Sequence, residues 1–248
     1  MSENVLILGA TSAIAKELSR ILAERGCGLV LAGRDRAELE KTAQDLRLRY
    51  QVQADVEIFD ALDFAGHGPF LARCLSRPQP IDGVILCYGY LPDQRQTEIV
   101  VDEARRAIDL NFTSAVALLS PLADYLEKRR SGYLVAISSV AGDRGRQSNY
   151  TYGAAKAGLT AYLQGLGNRL CRSGVHVLTV KPGFVDTPMT HGLVNPNSPL
   201  VASPKRVARD IDRAIRRRRN TIYTPWFWRP IMLVVRMVPE FLFKRMRL

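Results

Sequence analysis

The sequence predicts an α/β protein with a Rossmann-type, doubly wound parallel sheet of about seven strands and helices on both faces. Short apolar runs alternate with longer amphipathic stretches along most of the 248 residues, which is typical of repeated strand–helix units. The first apolar run ends in a turn of small residues, where a helix N-terminus can hold a phosphate. The length suits one domain over residues 1–248, with a basic, apolar C-terminal segment at about 224–248.

The first strand is predicted at residues 5–8, which are apolar and end at Gly9. Small residues occupy positions 10–15, and the helical spacing of Leu18, Ile21 and Leu22 follows them. This strand–turn–helix pattern predicts a site for the pyrophosphate of a dinucleotide. The candidate cofactor-binding residues in the turn are Gly9, Thr11, Ser12, Ala13 and Ile14.

A second strand is predicted at residues 28–32, followed by Gly33, Arg34 and Asp35. In dinucleotide-binding folds an acidic residue near this point binds the ribose 2′-hydroxyl, whereas an arginine accommodates a 2′-phosphate. Because Arg34 comes first after the glycine, we predict that NADP(H) is favoured over NAD(H). The alternative is that Arg34 is a solvated residue at the start of the next helix.

The third and fourth strands are predicted at residues 56–60 and 84–87, with helices at 39–48 and 64–75. Asp60 ends the third strand, where its carboxylate would accept a hydrogen bond from an adenine amino group or cap the following segment. The regular alternation of strands and helices favours a parallel sheet.

A long amphipathic helix is predicted at residues 103–130, and Asn111 interrupts its apolar pattern. An asparagine inside a helix is usually solvated, but here we expect it to bend the helix and hold a water.

The fifth strand, at residues 134–137, leads to Ser139. Tyr152 and Lys156 follow, four residues apart, so a helix would place both side chains on one face. An ammonium beside a phenol favours the phenolate, which predicts proton transfer near neutral pH. A sixth strand is predicted at residues 175–180 and leads into a loop at 181–188.

Together these motifs resemble the short-chain dehydrogenase/reductase family over residues 4–190. The cofactor turn, Asn111, Ser139, Tyr152-x-x-x-Lys156 and the Pro182-Gly183 loop occur in the family's order. The resemblance implies a seventh strand near residues 221–223 and a nicotinamide cofactor. It also implies homodimers or homotetramers formed through the helices that carry Asn111 and Tyr152.

The resemblance also implies roles for individual residues. Tyr152 would protonate the carbonyl oxygen as hydride arrives. Lys156 would bind the nicotinamide ribose and lower the pKa of Tyr152, and Ser139 would orient the substrate oxygen. Asn111 would position a water in a proton relay. The residues expected to hold the nicotinamide end of the cofactor are Pro182, Gly183, Val185 and Thr187.

Two departures from the family pattern concern the cofactor turn and the end of the fourth strand. Ala13 and Ala15 stand where the family usually has glycine. Residues 86–89, Leu-Cys-Tyr-Gly, replace the usual Asn-Asn-Ala-Gly, which removes an amide that normally braces the site. Because the candidate catalytic residues are all present, we still expect turnover.

The net charge of +11 is concentrated near the C-terminus, where residues 205–248 contain 13 Lys or Arg residues and 3 Asp or Glu residues. Tryptophans and basic residues flank an apolar stretch after residue 224, a pattern that favours an in-plane contact with an anionic membrane. Alternatively, this segment packs over the substrate cleft or against a partner subunit. The local charge lacks a nucleic-acid-binding motif, so nucleic acid is not an expected partner.

Other features limit the classes of site and location. The four scattered cysteines and three histidines predict reduced thiols and no metal site. The N-terminus lacks the pattern of a signal peptide, and no apolar run is long enough for a transmembrane helix. We therefore expect a cytoplasmic protein, peripheral on the inner face of the membrane if the tail binds lipid.

Three functions fit this reading. The first is an NADPH-dependent reductase of a keto group on a small-molecule or lipid-linked substrate. The tail and the Tyr-Gly-x-x-Lys core are similar to the decaprenylphosphoryl keto-pentose reductases of cell-wall biosynthesis, which implies a keto-sugar on a polyprenyl phosphate. The second is a reductase of 3-ketoacyl groups or other soluble ketones. The third is a non-catalytic NADP(H)-sensing protein.

Overall fold

The computed structural model describes residues 3–192, 195 and 197–246. Its main sheet has seven parallel strands in the order β3-β2-β1-β4-β5-β6-β9, which confirms the predicted doubly wound sheet. A second, two-stranded parallel sheet pairs β7 with β8. The strands are β1 (Asn4–Leu8), β2 (Gly28–Gly33), β3 (Ala54–Ile58), β4 (Gly83–Leu86), β5 (Tyr133–Ile137), β6 (His176–Pro182), β7 (Phe184–Val185), β8 (Val201–Ala202) and β9 (Thr221–Thr224).

Helices cover both faces of the main sheet. Apolar residues of α1, α2 and α8 pack on one face, and those of α3, α6 and α7 pack on the other. Alternate residues of β1 enter the two cores, as expected for a strand buried on both faces. The helices are α1 (Ala13–Glu24), α2 (Arg36–Tyr50), α3 (His67–Leu75), α4 (Gln94–Ile99), α5 (Val101–Ile108), α6 (Ser114–Arg129), α7 (Tyr150–Leu170), α8 (Pro204–Arg216), α9 (Trp228–Met237) and α10 (Glu240–Phe243).

Two predicted elements differ from the structure. The single helix expected over residues 103–130 is divided into α5 and α6 by a π-helical turn, Asp109–Thr113, which contains Asn111. Such turns interrupt the regular hydrogen-bond ladder and are frequent at functional sites. The third strand lies two residues earlier than predicted, because its ladder with β2 ends where Gly33 pairs with Ile58.

The strand order places β1 between β2 and β4, so the chain reverses its direction of winding at β1 and β4. In open α/β sheets, ligands bind outside the carboxyl ends of the strands at such a switch point. Gly9 follows β1 there, and Cys87 follows β4. The fold therefore predicts a ligand cleft where these two residues meet.

The C-terminal segment packs beside the carboxyl end of the sheet. Trp228 and Met232 are buried on one side of α9 and cluster with Val140. The guanidinium of Arg144 donates to the carbonyl oxygens of Val235 and Val238, both at 2.6 Å, and lies 3.8 Å from the ring centroid of Phe243. These contacts fix both C-terminal helices to the loop after β5.

None of the described helices is both long enough and apolar enough to cross a membrane.

Candidate active site

The turn between β1 and α1 forms one wall of the site. Gly9 has a φ of +82°, and a Cβ there would lie 2.7 Å from the backbone nitrogen of Tyr88. The hydroxyl of Ser12 caps α1 by accepting a hydrogen bond from the Ala15 amide at 3.2 Å. The amides of Ala13 and Ile14, in the first turn, have no acceptor within the helix. The turn therefore combines close backbone approach with free amide donors, which is the chemistry that a pyrophosphate requires.

The alanines that replace two glycines have different surroundings. The methyl group of Ala15 is completely buried and belongs to the core between α1 and the sheet. Ala13 is the first residue of α1 and is partly exposed. The substitution at position 15 is therefore accommodated by packing, whereas that at position 13 adds a methyl group to the surface of the turn.

A cleft of about 200 Å³ extends from this turn along the ends of β1, β2, β3 and β4. Its lining includes Arg34 as its basic residue and Asp60 as its acidic residue. The remaining lining residues are Gly9, Thr11, Ser12, Gly33, Phe59, Ala61, Cys87, Tyr88, Gly89, Leu110 and Met189.

The predicted residues after β2 and β3 lie at one end of this cleft. Asp35 caps α2 by accepting a hydrogen bond from the Glu38 amide at 3.1 Å, while Arg34 is exposed. Asp60 accepts a hydrogen bond from the Leu62 amide at 3.0 Å. Asp60 therefore caps its own turn and also lines the cleft.

The junction of β5 with α7 fixes the candidate catalytic residues. Lys156 is 2% exposed, and its ammonium donates to the carbonyl oxygen of Ile137 at 2.9 Å. The hydroxyl of Ser138 donates to the carbonyl oxygen of Lys156, also at 2.9 Å. A Cβ at Gly153 would lie 2.8 Å from the carbonyl oxygen of Ala141, so this helix approaches the loop after β5 closely.

Tyr152 and Lys156 lie one turn apart on α7, and the ammonium is 5.7 Å from the centre of the phenol ring. Burial raises the pKa of Tyr152 to about 12, and the neighbouring Ser139 hydroxyl opposes that shift. Burial lowers the pKa of Lys156 to about 8. The direction for Tyr152 is opposite to the sequence-based expectation, because removal from water outweighs any stabilisation of the phenolate. Tyr152 is therefore protonated at neutral pH, as a proton donor must be.

Asn111 is buried in the π-helical turn and clamps the backbone of Tyr90. Its Nδ2 donates to the carbonyl oxygens of Tyr90 at 2.6 Å and Ala107 at 2.8 Å, and its Oδ1 accepts from the Tyr90 amide at 3.0 Å. A Cβ at Gly89 would lie 3.0 Å from this Oδ1 and 3.4 Å from the Lys156 ammonium. Asn111 thus joins the end of the cleft to the lysine, and three hydrogen bonds to backbone fix its side-chain amide.

Tyr88 stands where the family usually has alanine, directly after the positions of the missing amides. Its hydroxyl lies 2.9 Å from the hydroxyl of Ser114, which in turn donates to the carbonyl oxygen of Leu110 at 2.9 Å. Its backbone also packs against Gly9. Tyr88 therefore connects the cofactor turn to the start of α6.

The loop after β6 begins beside the C-terminal segment. Pro182 ends β6, and a Cβ at Gly183 would lie 1.9 Å from the indole Nε1 of Trp228. Val185 is buried, and its carbonyl oxygen accepts from the Thr190 hydroxyl. The amide of Thr187 donates to that same hydroxyl at 3.3 Å. These four predicted residues form one ordered loop, but none of them lines the cleft.

A family model described as "short chain dehydrogenase" matches residues 3–197. The chain belongs to this family. The protein is therefore an oxidoreductase of this family.

Curated relatives extend the similarity to nearly the whole chain. An uncharacterized oxidoreductase of Mycobacterium tuberculosis is 38% identical over 242 residues, which are 98% of this chain and 96% of the relative. An uncharacterized oxidoreductase of Streptomyces coelicolor is 37% identical over 246 residues, covering 98% and 95% of the two chains. The C-terminal segment is therefore included in the similarity to these proteins.

Solved structures of the family share the fold. A short-chain dehydrogenase from Sphingobium yanoikuyae in complex with NADPH superimposes with a TM-score of 0.84 at 24% identity, covering 96% of this chain and 97% of that one. An actinorhodin polyketide ketoreductase with NADPH gives a TM-score of 0.78 at 25% identity, covering 86% and 90%.

Several residues that shape the site were not predicted from the sequence. Ser138 fixes α7 through the Lys156 carbonyl, and Tyr90 supplies the backbone that Asn111 clamps. Met189 lines the cleft. Ser138 adjoins the predicted site residue Ser139, and its position at the end of a strand could have identified it. Nothing in the local sequence marks Tyr90 or Met189.

In the wild-type protein, Lys156 should make the unfolding free energy depend on pH, and the Lys156→Met variant should lose this contribution. Because burial lowers the folded-state pKa of Lys156 from 10.5 to about 8, the unfolded chain binds more protons between these values. The unfolding free energy therefore rises with pH across that window, by about 3 kcal/mol for a shift of this size. Chemical denaturation of both proteins across the window measures the difference, and Lys128→Met, at an exposed lysine, is the control. An unchanged pH dependence in Lys156→Met would contradict the burial of a titrating ammonium.

Proposed function

We propose that this protein is an NADPH-dependent reductase that converts a keto group to an alcohol. The observation that carries the proposal is the assembly of Ser139, Tyr152 and Lys156 at the end of β5, joined through Gly89 to a cleft lined by Arg34. A non-catalytic sensor would not require a protonated phenol held beside an ammonium.

The cofactor turn fits a dinucleotide. Gly9 lets the turn pack against Tyr88, where a Cβ would collide, and the first turn of α1 offers the amides of Ala13 and Ile14. Thr11, Ser12 and Asp60 line the remainder of this part of the cleft. A bound nicotinamide would supply the hydride, with Pro182, Gly183, Val185 and Thr187 holding that end of the cofactor.

The chain's own residues would handle the proton and the substrate oxygen. The Ser139 hydroxyl orients the carbonyl oxygen, and the phenol of Tyr152 transfers its proton to that oxygen as the carbonyl carbon is reduced. The Lys156 ammonium stabilises the phenolate left behind. Asn111 acts as a positioning residue, because it holds the backbone of Tyr90 and the segment that packs on Lys156.

Replacing Tyr152 by phenylalanine removes the proposed proton donor and preserves most of the ring packing. We expect turnover to fall by about a hundredfold or more, with NADPH affinity changed little. Stopped-flow absorbance and fluorescence titration measure the two quantities. Tyr150→Phe, which removes an exposed hydroxyl from the same helix, should keep full activity. Wild-type turnover in Tyr152→Phe would reject Tyr152 as the acid.

We propose NADP(H) as the preferred cofactor because Arg34 is the cation in the cleft lining and Asp35 is engaged in capping α2. Two structural relatives, the Sphingobium yanoikuyae dehydrogenase and the actinorhodin polyketide ketoreductase, are also in complex with NADPH.

The Arg34→Asp variant should weaken NADPH binding more than NADH binding, since only NADPH carries the 2′-phosphate. Dissociation constants from fluorescence titration test this, with Arg36→Asp, two residues further and outside the cleft lining, as the control. Equal losses for both cofactors in Arg34→Asp would mean that another residue selects the phosphate.

We propose an amphipathic substrate with an anionic group, because a partly buried cation borders the site. Arg146 lies under α9, with Nη2 3.3 Å from the sulfur of Met232, and its buried Nε has no hydrogen-bond partner among the described residues. Burial lowers the pKa of Arg146, which Asp143 opposes. A partly buried guanidinium with an unsatisfied donor is stabilised when an anion binds to it.

The surroundings of Arg146 connect this cation to the catalytic residues. Its carbonyl oxygen accepts from the amide of Asn149, the residue before α7. Met232 packs against Val140, which follows Ser139. A phosphate bound at Arg146 would therefore lie on the same rim as the substrate oxygen. A polyprenyl-phosphate keto-sugar of cell-wall biosynthesis has this chemistry.

Arg146→Gln should weaken binding of farnesyl phosphate by about tenfold or more, the usual effect of removing a charge-assisted contact. Binding of farnesol should change little. Isothermal calorimetry measures both, with Arg172→Gln, at an exposed arginine, as the control. Equal affinity of wild type and Arg146→Gln for the phosphate would remove Arg146 from substrate recognition while leaving the role of Tyr152 intact.

A soluble 3-ketoacyl substrate is the second candidate. A 3-oxoacyl-[acyl-carrier protein] reductase from Brucella melitensis superimposes with a TM-score of 0.75 at 23% identity, covering 86% of this chain and 83% of that one. Rapid NADPH oxidation with 3-ketoacyl thioesters, unaffected by Arg146→Gln, would favour this candidate.

A further inference from the structure

We propose that α9 and α10 form a docking surface for an anionic lipid bilayer. The surface, called here the tail surface, exposes six large apolar side chains, each between 46% and 73% exposed. These residues are Trp226, Leu233, Val234, Met237, Phe241 and Leu242. Contiguous apolar side chains in water usually mark an interaction site.

The contacts of α9 determine which side faces outward. Trp228 and Met232 are buried on the inner side, four residues apart, and Ile231 and Val235 pack beside them. These positions follow the period of a helix. The opposite side, with Leu233 and Met237, is therefore apolar although the protein does not cover it.

The tail surface is held rigidly to the body. Arg144 satisfies the carbonyl oxygens of Val235 and Val238 at the end of α9 and stacks on Phe243 of α10. The indole ring of Trp228 packs edge-on against Phe184, with ring centroids 5.4 Å apart. The apolar groups are thus presented by a fixed scaffold and would not need to be ordered on binding.

Positive charge flanks the apolar groups. Arg229, Arg236, Lys244 and Arg245 are exposed. Glu240 is the one acidic residue within residues 226–246, and its carboxylate is paired with Lys244 at 2.7 Å. Apolar side chains with an interfacial tryptophan and flanking cations match an anionic bilayer interface, where the charges contact headgroups and the apolar groups enter the acyl boundary.

This charge pattern favours lipid over a second copy of the chain. A two-fold interface would place the same patch on itself, bringing the four cations of one copy against those of the other. Like charges in such an interface are unfavourable. A bilayer of anionic lipids supplies the opposite charge over the whole area.

The dimensions indicate a contact in the plane of the membrane. The ten residues of α9 span about 15 Å, half the thickness of the hydrocarbon core. Because α9 also packs on Val140 and Gly183, docking would place the substrate side of the active site near the lipid surface.

Vesicle sedimentation tests the proposal without substrate or cofactor, so it is independent of the proposed reduction. The wild-type protein should sediment with vesicles of equal parts phosphatidylglycerol and phosphatidylcholine, and far less with phosphatidylcholine alone. Arg229→Glu with Arg236→Glu should lower the partition coefficient by at least about twentyfold, since each cation contributes about fivefold. Lys128→Glu with Arg172→Glu makes the same charge change elsewhere and should lower it much less.

A second pair of variants tests the apolar contribution. Leu233→Asn with Met237→Asn should reduce sedimentation, whereas Ile99→Asn with Val101→Asn, at residues equally exposed elsewhere, should not. The proposal is overturned if wild-type protein stays in the supernatant with anionic vesicles, or if both charge variants lose binding equally. It is also overturned if Leu233→Asn with Met237→Asn lowers the oligomeric mass in analytical ultracentrifugation, since a second copy would then cover the surface.

Discussion

The buried ammonium of Lys156 is the constraint around which the site is arranged. A lysine removed from water must direct its donors at acceptors, and the carbonyl oxygen of Ile137 at 2.9 Å supplies one. That bond can form only if α7 lies directly against the end of β5. Gly142 and Gly153 permit the approach, because a side chain at either would collide with backbone atoms less than 3 Å away. The position of Tyr152 follows from the same contact.

Departures from the family pattern are compensated by neighbouring contacts. The π-helical turn lets Asn111 bond backbone on both sides, at Ala107 and Tyr90, so it braces the site without the usual asparagine after β4. Tyr88, the next residue along the chain, makes a further contact through its hydroxyl with that of Ser114. Two other contacts thus replace the missing amide: Asn111 with the backbone of Tyr90, and Tyr88 with Ser114. They keep Lys156 and the cofactor turn rigidly connected.

The sequence alone predicted the doubly wound parallel sheet, the family, and residues now found at the cleft and at the end of β5. These features depend on local patterns: apolar runs, a small-residue turn and a four-residue spacing on one helix. It did not predict the direction of the pKa shift at Tyr152, because burial depends on residues distant in the chain. The clamp of Asn111 on Tyr90 was missed for the same reason, since the two are 21 residues apart.

The C-terminal segment shows why composition alone could not decide between contact with a membrane and packing against the protein. Its apolar residues serve two purposes that a linear pattern cannot separate. Trp228 and Met232 close the side of the site, while Leu233 and Met237 face away from it. Because Trp228 also lies against Gly183, at the start of the loop that carries Val185 and Thr187, a displacement of α9 by a ligand or a surface would reach that loop directly. The tail is therefore in direct contact with the loop proposed to hold the cofactor.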